Sequence, residues 1–126
     1  MNLQTPLAKV RGLGSAKAGT HHFWVQRITA VSLIPLSFWM VFFTQQLLTA
    51  SHTEIVAWLA EPIDTTIAIV WVIAAFYHAA LGLQVVMEDY IHTEWLKITT
   101  IGLMKLTFFF FALAAIVAIF RISLTG

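Results

Sequence analysis

Apolar residues fill three long stretches of this chain, at about residues 28–50, 65–87 and 100–120, and polar residues gather in the short segments between them. A helix needs about 20 residues to cross a hydrocarbon core of roughly 30 Å, and each stretch meets that length. The pattern therefore predicts three membrane-spanning helices, with connections too short for a soluble domain. The expected fold class is an all-α membrane protein, one three-transmembrane-helix bundle over residues 21–126. Residues 1–20, where Gly12, Gly14 and Gly19 lie among scattered basic residues, read as a flexible basic tail. Pro35 falls inside the first span, where it kinks a helix whose freed carbonyl is satisfied by neighbours. Phe108, Phe109, Phe110 and Phe111 read as lipid-facing or packing bulk.

Composition agrees with the pattern: of 126 residues, 60% are hydrophobic and 10% are charged. Charge then orients the spans. Lys9, Arg11, Lys17 and Arg27 precede the first span, while residues 51–64 contain no Lys or Arg. Lys97 and Lys105 follow the second span, and Arg121 alone follows the third. The positive-inside rule puts the N-terminus and the segment 90–99 in the cytoplasm, with 51–64 and the C-terminus on the other side. Lys105, inside the third apolar run, reaches the cytoplasmic interface by snorkelling. The first apolar run begins late, exceeds a signal peptide's apolar core and lacks a small-residue cleavage site, so no signal peptide is expected. A mitochondrial presequence would be richer in Arg and Ser, which favours a bacterial inner membrane over a mitochondrial one. Nothing in the charge distribution calls for nucleic acid. The chain has no cysteine, which excludes disulfides, thiolate-held iron–sulfur clusters and covalently attached c-type haem within it.

Candidate chemistry centres on the second span. His78 lies about midway along it, and an ionisable side chain at bilayer depth is a functional-site hypothesis by default. Two roles are open to it: a core histidine bonded to a Ser, Thr or carbonyl of a neighbouring helix, or an axial ligand of haem. His21, His22, His52 and His92 all map to helix ends or loops, so a second axial ligand would have to come from another polypeptide. Gly82 and Val86 continue the His78 stripe, and suit either close helix packing or a flat macrocycle. Asp89 returns to the same face after eleven residues at about 100° each. Glu88 and Asp89 oppose the dipole at a helix C-terminus, a local rule broken in the way functional sites break it. Tyr90 beside them is either an interfacial belt tyrosine or a donor to a quinone carbonyl, with a carboxylate to orient it. At the first span, Arg27 either binds lipid phosphate or, with a flanking His21 or His22, receives a buried carboxylate such as a haem propionate.

Two motifs carry a resemblance. His78-x-x-x-Gly82-x-x-x-Val86-x-x-Asp89-Tyr90, together with His21-x-Phe23-x-x-x-Arg27-x-Thr29-Ala30, resembles the small hydrophobic membrane-anchor subunit of succinate dehydrogenase, over about residues 21–120. The resemblance implies one anchor of a four-subunit respiratory complex II, linking the tricarboxylic acid cycle to electron transport. A flavoprotein subunit would oxidise succinate, an iron–sulfur subunit would carry electrons to the membrane, and a second anchor subunit would share haem b with this one. His78 would be the haem-iron ligand contributed here. Tyr90 and Asp89 would serve ubiquinone, and Arg27 with His21 or His22 would lie on the haem propionate side. The chain has no flavin motif, cluster ligands or dicarboxylate site, so it is part of an enzyme rather than one alone. Two alternatives remain: the anchor of a menaquinone-linked fumarate reductase, and a structural anchor without cofactor.

Overall fold

The structure, a computed structural model, describes residues 5–10, 12 and 18–125. Its elements are α1 (Pro6–Val10), α2 (Gly19–Thr49), α3 (His52–Leu59), α4 (Pro62–Tyr90) and α5 (Glu94–Thr125). No strand occurs among the described residues. The three long helices are the three expected spans, and each is long and apolar enough to cross a membrane. α1 and the first two residues of α2 fall in the segment expected to be a flexible tail. The rest of that expectation, at residues 1–4, 11 and 13–17, lies outside the described residues.

The helices outrun the apolar stretches that announce them. α2 has 31 residues, a length of about 46 Å at 1.5 Å per residue, well beyond the hydrocarbon core. The excess lies at the interfaces. α2 starts with polar His21 and His22, α4 ends in Glu88, Asp89 and Tyr90, and α5 opens on Glu94, which pairs with Lys97 at 2.9 Å. Backbone groups at the rim of a bilayer gain by staying hydrogen-bonded inside a helix, so the ends do not stop where apolarity stops. α2 continues through Pro35 without a break in helical assignment.

One expectation is corrected. Residues 51–64, a connecting segment for which the sequence reading gave no element, contain α3 and the start of α4. Ser51 caps it by a reciprocal arrangement: its hydroxyl receives the Glu54 N–H at 3.4 Å, while its own N–H donates to Glu54 Oε2 at 2.7 Å. The Ser51-x-x-Glu54 spacing is a capping box, a helix-start signal already present in the sequence. Hydrogen bonds from the Ser51 side chain and then its backbone hold the Glu54 carboxyl below the ordinary carboxylate range.

α4 is the central helix, packed against α2 on one side and α5 on the other, and α3 lies against α4 and α5. Its buried positions are Thr65, Ala68, Val72, Ala74 and Leu81, mostly small side chains that let helices approach. α2, by contrast, has no fully buried residue. Thr65 ties one end of the bundle: it donates to the Leu59 carbonyl at 2.6 Å and lies 3.1 Å from Ser123 Oγ of α5. Beside it, Trp39 Nε1 donates to Asp64 Oδ1 at 3.0 Å, and the Trp39, Phe43 and Trp58 rings stack with centroids 5.1–5.4 Å apart. Of the four consecutive phenylalanines, Phe108 is half-buried and meets Phe76 edge-to-face at 5.7 Å, while the other three are exposed.

Candidate functional site

The α2–α4 seam brings the two sequence motifs together. His78 of α4 faces Thr29 of α2, with Nδ1 3.0 Å from Thr29 Oγ1. The Thr29 hydroxyl also bonds back to its own helix, donating toward the Val25 carbonyl at 2.8 Å and the Gln26 carbonyl at 3.0 Å. A hydroxyl has one proton and two lone pairs. With the proton directed at the helix carbonyls, the oxygen accepts from His78 Nδ1–H. The neutral ring then has its lone pair on Nε2, because the hydrogen bond at one nitrogen sets the state of the other. This tautomer is assigned from the bonding pattern. The neighbour-helix bond of the first role and the free nitrogen of the second thus coexist in one side chain.

A cleft of about 400 Å³ opens beside that seam, lined by Gly19, His22, Phe23, Gln26, Arg27, Ala30, His78 and Val85. His78 is half-buried in it, whereas Phe23 and Arg27 on its rim are exposed, so this chain alone does not close it. Two polar atoms of its lining residues stand out. His22 Nε2 and Gln26 Oε1 are buried yet make no hydrogen bond among the described residues. Buried polar atoms without partners are rare in folded proteins and point to a group not contained in the chain. Arg27 lies with its guanidinium 5.1 Å from the Phe23 ring centroid and forms no ion pair among the described residues. The cleft lining thus includes a cation, Arg27, and two imidazoles, those of His22 and His78.

The remaining candidates are placed differently. His21, next to His22, is exposed and does not line the cleft. Gly82 lies against α2: a Cβ added there would stand 3.7 Å from Gln26 Nε2, ordinary contact distance, so this chain's own packing leaves room for one. Asp89 and Tyr90 end α4 where the sequence put them, both exposed, Tyr90 by 81%. Neither makes a side-chain hydrogen bond among the described residues, so the orienting carboxylate envisaged for Tyr90 is not engaged here. Glu88 instead accepts from Gln84 Nε2 at 2.7 Å. His52 starts α3 and His92 lies in the α4–α5 turn, and neither lines the cleft.

Sequence reasoning named Thr29 within a motif but gave it no task, and it overlooked Gln26. Helical spacing was the available signal. Gln26 follows His22 by four residues, so the two stack on one face of α2.

Known proteins give the same direction from outside the structure. The family described as succinate dehydrogenase/fumarate reductase transmembrane subunit matches residues 1–119. The succinate dehydrogenase hydrophobic membrane anchor subunit of Rickettsia bellii is 40% identical over 120 residues, 94% of this chain and 95% of that one. The subunit of the same description from Rickettsia conorii is 33% identical over 120 residues, again 94% and 95% of the two chains. That from Paracoccus denitrificans is 29% identical over 90 residues, 71% of this chain and 70% of its own.

Proposed function

Since the chain belongs to the succinate dehydrogenase/fumarate reductase transmembrane subunit family, as a hydrophobic membrane anchor of succinate dehydrogenase, we propose that it holds haem b jointly with a second anchor subunit and helps to form the ubiquinone-reduction site. The observation that carries this reading is His78: Thr29 takes its Nδ1, which leaves the lone pair on Nε2, and the residue lines an open cleft. An imidazole nitrogen of that kind is a standard ligand of haem iron. Bound there, haem b supplies a one-electron relay within the membrane.

The chain's own residues then have separate tasks. His78 would ligate the haem iron, and a second ligand would come from the other anchor. Arg27 and His22 receive the propionate carboxylates, a role that would satisfy the unpartnered His22 nitrogen and exploit charge-assisted bonds. His21 stands next to that group on the exposed side of the first turn. Tyr90, with Asp89 beside it, donates its phenol to a ubiquinone carbonyl oxygen where α4 reaches the interface. Ala30 and Val85 contribute apolar side chains to the cleft lining. The surface of α2, with no buried residue, is the side left for the second anchor. The cytoplasmic end, with the basic N-terminal segment, faces an iron–sulfur subunit, which in turn receives electrons from the flavoprotein subunit. The location is a bacterial inner membrane.

The complex purified whole from membranes tests the reading. It should show a b-type haem in its reduced-minus-oxidised spectrum and reduce ubiquinone with succinate. An active complex in which succinate reduces quinone without any b haem would contradict the haem assignment.

A further inference from the structure

A ligand histidine is no better fixed than its other nitrogen. Metal-bound imidazoles donate their second N–H to an outer partner, which sets the ring's orientation and raises the basicity of the coordinating nitrogen. His78 meets such a partner in Thr29, at 3.0 Å, on a different helix. We infer that Thr29 is a positioning residue for the haem: it accepts His78 Nδ1–H, fixes the imidazole's tautomer and plane, and makes Nε2 a stronger donor to iron. This inference rests on the haem reading above.

Three features favour threonine in that task. Its hydroxyl is anchored to the Val25 and Gln26 carbonyls, at 2.8 and 3.0 Å, so the oxygen is held at one place on α2. Its single proton faces the helix, which leaves only acceptor capacity toward the imidazole. It is also half-buried in the α2–α4 seam, where competition from water is reduced. A carboxylate in the same place would pull harder on the N–H but would add a buried charge at bilayer depth. A hydroxyl gives the orientation without that charge. The bond also makes the ligand's geometry depend on the packing of α2 against α4, so the ring cannot turn without disturbing both helices.

The test compares Thr29→Val, which keeps the shape and removes the hydroxyl, with Thr29→Ser, which keeps the hydroxyl, both in the assembled complex. A more basic Nε2 stabilises ferric over ferrous iron. In Thr29→Val the balance should move about tenfold toward ferrous, a rise in midpoint potential of about 59 mV for a one-electron couple. Its low-spin electron paramagnetic resonance signal should move too, while Thr29→Ser keeps both properties near wild type. Loss of haem in the Val variant, with retention in the Ser variant, would support the same role. A haem-replete Thr29→Val complex with wild-type potential and resonance overturns the inference, as does equal haem loss in both variants, which would make Thr29 a packing residue only. A wild-type complex without b haem removes the ligand reading itself, a different failure from these.

Discussion

Tyr90 is 81% exposed and makes no side-chain hydrogen bond among the described residues. Removing the hydroxyl in Tyr90→Phe therefore breaks nothing within this subunit, which makes the substitution a clean probe. A phenol bonded to a quinone oxygen strengthens as negative charge develops there during reduction. If that bond contributes about 1.5–3 kcal/mol, quinone reduction should fall by about tenfold or more, with haem content and succinate oxidation by a water-soluble acceptor unchanged. Full quinone reductase activity in the variant would make Tyr90 a belt residue. His78 shows how far single residues were legible. Its depth in an apolar run marked it, since a buried imidazole is costly in any register. Its partner was not legible, because Thr29 lies 49 residues away and the helical repeat fixes the faces of α2 and α4 but not their relative height. The unpartnered nitrogen of His22 depends on the same unseen register.

Among the helices, length and order followed from apolar runs, but the ends and the small α3 did not. A hydropathy window measures the bilayer's oily core, whereas the helices continue through the headgroup layer. α3 was hidden because eight residues are too few for an apolar period to show, although its capping box was there to be read. Its cap also has a pH dependence. Glu54 has a lowered pKa in the folded chain, so the cap's contribution is present above the carboxyl's unfolded value and fades as pH falls through the lower folded value. The protection of α3 amides, taken relative to their intrinsic exchange rates, should fall on acidification in that range, and should not change with pH in Ser51→Ala. The Thr65 tie predicts a larger effect. Thr65 and Leu59 are both buried, so Thr65→Val leaves the Leu59 carbonyl without its 2.6 Å donor. The expected cost is about 1–3 kcal/mol, read as a lower thermal midpoint of the solubilised complex. An unchanged midpoint would mean that water or Ser123 replaces the bond.

The molecule as a whole is an incomplete object. Its central helix is covered on two sides, but α2 has no buried residue and the cleft beside His78 is rimmed by exposed Phe23 and Arg27. An anchor that completes its site with another subunit has this form. Its orientation is independently testable: reporters fused after Thr93 should be cytoplasmic, and reporters near Glu61 should lie on the opposite side, as the distribution of Lys and Arg requires. A cytoplasmic reporter at Glu61 would reverse the account of which face meets the iron–sulfur subunit. The shared-haem assignment itself stands or falls on His78→Ala in the complete complex. The side chain is half-buried and, among the described residues, bonded to Thr29 alone, so the three spans should still insert and the complex should still assemble. The account predicts that the assembled variant has lost the bis-histidine b-haem spectrum, by absence of haem or by a changed ligand set. A bis-histidine spectrum indistinguishable from wild type would contradict it.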